Sequence, residues 1–501
     1  MMKHTTIIIY AFLLLLATCM GERSVMAPEA SGLPAPDMEA STFQVSQVPA
    51  QNTALRLVTL SEEGEGLIGR PIDPLTLADL PDYESIDFGH HNTYTLSPDG
   101  RTLALITWPS GSYNSGGTLY LLDVLTWEIY NTEVTFDDYI YPLRFGADDR
   151  TLYWTQAARR DAAHDLPRDY ELYRYDLHGG QLTAVTLLSP SFAPWEMQLL
   201  ASGTQMAIYG IPTDTNNLVE DTPHVLLVDL AAGSVAGDIS LEGVTAGQFR
   251  IQTAAEDENP YRMVRPGLAW DLERDLLYVA HADEEKVTVV DLVSAEVSRQ
   301  TDIRAQQSIL ERLLSWGVEV AEAKIVPGTD KQAVLDPGGN KLYTVGLHRE
   351  MMPAEDGDGW VYQEIPLGLQ VIAAEKLTEV QRLDLPVTDL ALSPDGKWLL
   401  LRSAYDTTGP DGGLERVHHG LYLVDTASMA VTAHLMPESE VYLQGFSPDG
   451  RYAYVSTATS EWLGDHYGNW RGILHVLDLQ SGQFVAGREF PGGYLDVIPF
   501  P

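Results

Sequence analysis

This sequence predicts an all-β chain folded as one closed ring of four-stranded sheets, and three observations predict it. The first is a four-residue break, SPDG, at Ser97–Gly100, Ser393–Gly396 and Ser447–Gly450, each time between two β-rich runs. The second is a β-rich phrase ending in Asp that returns in step with the break, as in Leu119–Asp123, Val225–Asp229 and Leu474–Asp478. The third is the period. Counting degenerate copies, the breaks begin at 97, 146, 200, 270, 336, 393 and 447, so they stand 49 to 70 residues apart. A meander of four strands cannot bury both faces alone, but stacking such units around an axis does, and closing the ring removes the exposed edge. The architecture is a single β-propeller.

Each part of the chain can be justified in order. Met1–His4 is a short basic start, and Ile7–Leu16 is an unbroken apolar run, too short to span a bilayer but suited to a secretory signal. Leu16–Cys19 resembles a bacterial lipobox, although Thr18 departs from the small residue usual before the cysteine. Residues 1–19 are therefore expected to be a signal peptide, with Cys19 the lipidation site. A cut after Ala27 is the alternative, and it would place Pro28 unfavourably. Cys19 is the only cysteine, so no intramolecular disulfide can form. Residues 20–54, rich in Pro, Ala and Ser, read as a disordered tether, and residues 55–501 as the propeller domain.

Within that domain every unit reads as inner strand, turn, second strand, loop, third strand ending in Asp, turn and fourth strand. The recurring Asp looks catalytic at first sight. A carboxylate accepting the backbone amides of the following turn explains it far better. Seven units are visible. Leu55–Leu60 and Tyr494–Phe500 are strands left over at the two ends, so eight blades, one of them built from both termini, is the economical count and seven the alternative. One amphipathic helix is expected at Arg304–Trp316, where Ile309, Leu310, Leu313, Leu314 and Trp316 recur at helical spacing.

Two stretches carry a resemblance to a known family. Leu390–Leu401 followed by Gly420–Thr426, and Leu277–Asp283 followed by Lys286–Asp291, resemble YVTN-type and related WD-repeat-like bacterial propeller repeats. The resemblance spans roughly residues 90–490. It implies the fold strongly and the function weakly, since such repeats occur in cell-surface binding proteins, lactonase-like enzymes and dehydrogenase subunits.

By strand order, the SPDG and Asp turns share one face and are short. Second-to-third loops and blade connections fall on the other face and are long, notably 108–117, 157–169, 211–223, 348–363, 404–419 and 457–471. Lengthened loops on one face of a rigid scaffold are where binding and catalysis usually reside. The candidate ligand-binding residues are accordingly His90 and His91 near the channel mouth, Arg159, Arg160 and His164, His348 and Trp360, His418 and His419, and His466, Trp470 and Arg471. Acidic loops with scattered histidines are also what an ordinary acidic exported protein presents. Asp356–Gly359 resembles a calcium loop, but Trp360 occupies the next ligand position.

The net charge of −40 disfavours nucleic acid and anionic lipid, which leaves membrane contact only through an anchor at Cys19. There is no Gly-x-Ser-x-Gly elbow, P-loop or paired cysteine. No cofactor is expected. The expected function is an exported binding or assembly module, at the cell surface or in the periplasm, that takes a ligand or an envelope protein with its long-loop face. The alternative is a lactonase- or lyase-type enzyme with His, Asp and Glu, with or without a divalent metal, at the channel mouth.

Overall fold

The computed structural model describes residues 56–63, 66–108, 116–136, 140–157, 169–188, 192–212, 222–250, 261–303, 329–353, 360–409, 414–462, 467–491 and 495–500. The leader, Cys19, the tether and the expected helix at 304–316 lie outside the described residues.

The SPDG turn follows from its four side chains. In Ser393–Gly396 the Gly396 amide donates to the Ser393 carbonyl at 2.8 Å, closing a β-turn with proline at its second position. The buried Ser393 hydroxyl donates to Asp395 at 2.7 Å and accepts the Trp398 amide at 2.9 Å. Gly396 sits at φ 71°, a conformation glycine adopts without a side-chain clash. Ser97 and Ser447 repeat the arrangement, accepting the amides of Thr102 and Tyr452 at 2.9 Å. The strand-end aspartates behave as expected. Asp123, Asp229 and Asp478 each accept two amides of the following turn at 2.8–3.0 Å.

The strands assemble into antiparallel sheets. β1 (Arg56–Glu63), β2 (Gly66–Ile72) and β3 (Ile86–Asp87) share a sheet with the last strand of the chain, β35 (Leu495–Phe500). The next sheet holds β4 (His90–Leu96), β5 (Thr102–Trp108), β6 (Gly117–Asp123) and β7 (Glu128–Phe136). It is followed by β8 (Ile140–Phe145), β9 (Thr151–Ala157), β10 (Tyr170–Asp176) and β11 (Gln181–Leu187). Then come β12 (Phe192–Leu199), β13 (Gln205–Pro212), β14 (His224–Asp229) and β15 (Ser234–Ser240). A separate hairpin, β16 (Gly247–Arg250) and β17 (Tyr261–Val264), occupies the connection to β18 (Gly267–Asp271), β19 (Leu276–Ala280), β20 (Lys286–Asp291) and β21 (Glu296–Asp302).

Two units merge into one larger sheet. The first comprises β22 (Thr329–Leu335), β23 (Lys341–Pro353), β24 (Trp360–Pro366), β25 (Leu369–Ala373) and β26 (Thr378–Leu383). The second comprises β27 (Asp389–Leu392), β28 (Trp398–Thr408), β29 (Leu414–Asp425) and β30 (Ala430–Leu435). β31 (Val441–Phe446), β32 (Tyr452–Trp462), β33 (Tyr467–Asp478) and β34 (Gln483–Pro491) complete the series. The described residues contain no helix.

Apolar clusters fill each sheet-to-sheet interface in turn. Between the second and third sheets Trp154 meets Phe136 edge-on, with ring centroids 5.5 Å apart. The sheet built from both termini is packed on each side: Val58, Leu67 and Ile498 meet Leu103 and Leu105, while Ile72, Leu77 and Leu495 meet Tyr454 and Leu474. Each fully buried aliphatic side chain of this kind contributes about 1.5–3 kcal/mol. The turns also link neighbouring sheets around one rim. Asp149 accepts the Asp99 amide at 2.9 Å, and Asp275 accepts the Ala201 amide at 2.8 Å.

One expectation needs correction. Segments 348–363, 404–419 and 457–471, expected as loops, are largely strand. They continue β23–β24, β28–β29 and β32–β33 as hairpin arms beyond the body of their sheets. The inference that this face is the elaborated one stands, but regular ladders provide the elaboration.

Candidate functional site

The arms position the densest set of interacting charges among the described residues. β25 pairs with β23 only from Lys341 to Thr344, and β30 pairs with β29 only from Leu421 to Asp425. β22 accompanies β23 as far as His348, and beyond that the β23–β24 hairpin projects with the neighbouring β28–β29 arm, which it meets at Gln363 and Thr407. A bulge marks the exit of β28–β29. Ser403 faces Gly420, but Ala404 faces His418, so His419 is the extra residue. Gly420, at φ 67°, is required there, because a Cβ would collide with the carbonyl oxygens of Leu435 and Met436.

The bulge separates two adjacent histidines. His419 Nε2 lies 3.2 Å from the Tyr405 hydroxyl, and its carbonyl accepts His434 Nε2 at 2.6 Å. His418 belongs to the charged side instead. Its Nδ1 is enclosed and has no hydrogen-bond partner among the described residues. Burial lowers its pKa, and the charge of Glu440 opposes that only partly.

A chain of alternating charges runs beside it. Glu364, 3% exposed, accepts Arg349 Nε at 2.9 Å and the Asp406 amide at 2.7 Å, and Arg349 also pairs with Asp330. Arg416 donates to Asp406 at 3.0 Å and to Glu440 at 2.8 Å. Arg402 pairs with Asp389 at 3.2 Å and lies 5.6 Å from the ring centroid of Tyr442. Burial raises the pKa of Asp406 and pushes Tyr442 up to about 12, with the charge of Glu440 adding to the Tyr442 shift. Burial works against the charge of Arg416, but Glu440 and Asp406 more than offset it. The arms thus leave the ring through a pre-organised, largely desolvated ion network in which charges are worth more than in water.

The sequence-derived candidates fall in different places. His418 and His419 lie at the network. His348, 8% exposed, points into its sheet, with Nδ1 2.9 Å from the Thr329 hydroxyl. Arg471 is exposed and pairs with Glu489 at 2.7 Å. His90 and His91 open β4, Trp360 opens β24 and Trp470 lies on β33, while their side chains fall outside what the structure describes. Arg159, Arg160, His164 and His466 lie outside the described residues. Glu364, Tyr405, Glu440 and Tyr442 were not singled out from sequence. The available signal was cross-strand charge: Arg349 faces Glu364 and Asp406 faces Arg416, which is legible only once the arms are read as ladders.

Among the described residues no three His, Cys, Asp or Glu side chains group closely enough to hold a metal ion. A cleft of about 210 Å³ lies on the short-turn rim, between residues 270–274 and 335–339.

No protein-family model and no curated protein matches the chain. Among solved structures it is similar to the dihydro-heme d1 dehydrogenase NirN in complex with DHE, at 13% identity and TM-score 0.52, covering 93% of this chain and 77% of that one. It is also similar to a periplasmic gluconolactonase of Pseudomonas aeruginosa, at 12% identity and TM-score 0.40, covering 89% and 99%. A eukaryotic initiation factor structure matches at 12% identity and TM-score 0.48, covering 90% and 98%. Likeness at 13% identity speaks to the fold alone, and that fold is the β-propeller.

Proposed function

We propose that this β-propeller is an exported binding or assembly module that grips a protein partner or ligand with the face carrying the arms β23–β24, β28–β29 and β32–β33. In this reading the ring has eight blades, the chain is processed and acylated at Cys19, and the protein works in the cell envelope. One observation carries the reading. Three successive units extend their second and third strands on the same face, and two of those arms join through the pairing of Gln363 with Thr407. Rigid ladders tied by a buried ion network present a pre-organised surface, which lowers the ordering cost of binding.

The test is to replace residues 404–419 of the β28–β29 arm by a tight turn in the full chain. Proximity crosslinking in intact cells then compares its partners with those of the unaltered protein. The shortened ring is expected to stay folded, with a lower thermal midpoint because Glu364 and Glu440 lose Asp406 and Arg416, and to lose its crosslinked partners. An unchanged crosslinking pattern overturns the reading. Cys19→Ser should release the protein from the membrane fraction.

The lactonase- or lyase-type alternative draws on a different observation. Asp406 and His418 flank one network with pKa values shifted in opposite directions, as acid and base partners often are. A lactone-hydrolysis assay comparing the unaltered ring with Asp406→Asn decides it, because an enzyme of this kind must lose turnover in the variant.

A further inference from the structure

A second feature lies on the channel wall, away from the arms. β8, β12 and β18 are successive inner strands, and with the residues leading into β18 they bring together Arg144, Glu196, Arg265 and Trp270. The chain holds 71 acidic residues against 31 basic ones, so carboxylates are plentiful. The arginines at the arms are ion-paired: Arg349, Arg402, Arg416 and Arg471 each have a carboxylate. Arg144 and Arg265 have none within ion-pair distance among the described residues.

Both guanidinium groups are nonetheless held in place. Arg144 donates Nε to the Met197 carbonyl at 3.1 Å and Nη1 to the Leu143 carbonyl at 2.9 Å, while Nη2 makes no hydrogen bond among the described residues. Arg265 is exposed and lies 5.5 Å from the ring centroid of Trp195, where cation–π attraction orients it. Its own backbone is clamped between Thr329 and Lys331 by hydrogen bonds of 3.0 and 2.8 Å. A register shift between Pro194 and Glu196 places Trp195 on a bulge, a device that re-aims a side chain.

Glu196 feels the charge of both arginines, but its Oε2 accepts Trp270 Nε1 at 3.0 Å instead of either guanidinium. Next to this group the Tyr209 hydroxyl is fully buried and has no hydrogen-bond partner among the described residues. Two positioned guanidinium groups face the single carboxylate Glu196, which contacts neither, beside a hydroxyl with no partner among the described residues, so the set keeps one positive charge over and room for a negatively charged member.

We propose that the channel wall between β8, β12 and β18 binds a small anion through Arg144 and Arg265, the shared recognition chemistry being a carboxylate or a phosphate group. This site is separate from the arm face and does not depend on its function. Arg265 supplies a solvent-reachable charge, while Arg144, two sheets away with the Glu196 sheet between them, supplies a fixed donor pair.

The experiment is titration calorimetry of the purified mature chain with inorganic phosphate, citrate and acetate, and with glycerol as the neutral control. Arg144→Gln and Arg265→Gln are compared with Arg174→Gln, which removes an equal charge from an exposed position on β10. At least one anion should bind at a single site and weaken as salt rises, and the anion that binds separates phosphate from carboxylate recognition. Each channel variant should lose about tenfold in affinity or more, with the Arg174 variant unchanged. If Arg144→Gln unfolds because it strips the Met197 carbonyl, Arg265→Gln, whose side chain makes no hydrogen bond among the described residues, decides alone. Absence of binding by all three anions overturns the proposal, as does equal weakening in Arg174→Gln.

Discussion

Ser393 accounts for much of why the SPDG break is written as it is. Its hydroxyl, 1% exposed, accepts the Trp398 amide at the start of the second strand. Ser393→Ala removes that acceptor and strands a donor, so the variant should lose about 1–3 kcal/mol, read as a lower urea midpoint. The strand-end aspartates were legible for the same local reason, since an acceptor at a fixed step before a turn needs no distant partner. One copy escaped notice. Asp73 accepts the amides of Leu75 and Thr76 at 3.0 and 2.7 Å, but the intervening Pro74 disguises the phrase. His281 was not legible at all. It is fully buried, its Nε2 lies 2.8 Å from the Thr288 hydroxyl, and burial pushes its pKa down to about 4 from 6.5 despite the nearby charges of Asp283 and Glu284. The folded chain therefore holds fewer protons than the unfolded chain between those two values. The stability His281 contributes is whole above about pH 6.5 and is lost as pH falls toward 4, on the order of 3 kcal/mol. Urea midpoints at pH 7 and pH 4.5 should differ less in His281→Gln than in the unaltered protein.

At the scale of elements, the arms were placed on the correct face but read as loops. Their tips are rich in turn formers, Asp356–Gly359 and Gly409–Gly413, and those residues dominate the local composition. The flanking strands give themselves away only through cross-strand pairing, which no window along the chain can see. Glu364 is where the arms meet, since it joins Arg349 of one hairpin to the backbone of the other. Glu364→Ala leaves the half-buried Arg349 guanidinium to Asp330 alone and the Asp406 amide without its acceptor, and should cost about 1–3 kcal/mol. Hydrogen exchange localises the effect. Amides of β24 and the outer half of β28 should exchange faster, while those of β25 and β26 stay protected.

The whole molecule depends on a joint between its two ends. β1 pairs with β35 from Arg56–Phe500 to Ser61–Leu495. The Tyr94 hydroxyl donates to Asp496 at 2.6 Å from one side, and Gln444 reaches the Leu495 carbonyl at 2.9 Å from the other. Ending the chain at Pro491 removes this inner strand and exposes the apolar faces of both neighbours. The truncated protein should unfold at a lower temperature, broadly and in more than one step, by calorimetry. The shared sheet was legible because strand-like lengths were left over at both ends, whereas the channel site was not. Its residues come from three units, and nothing in the repeat brings positions 144, 196 and 265 into one view.

The joint also sets a direction. Arg56, where β1 begins, lies at the same end of its sheet as the turn after Asp73, because Leu57 faces Ile72. That is the short-turn rim. If the preceding stretch is anchored as proposed above, its pull enters the ring from underneath, like a stalk beneath a dish. The hairpins are then displayed away from the point of attachment, toward whatever drifts past.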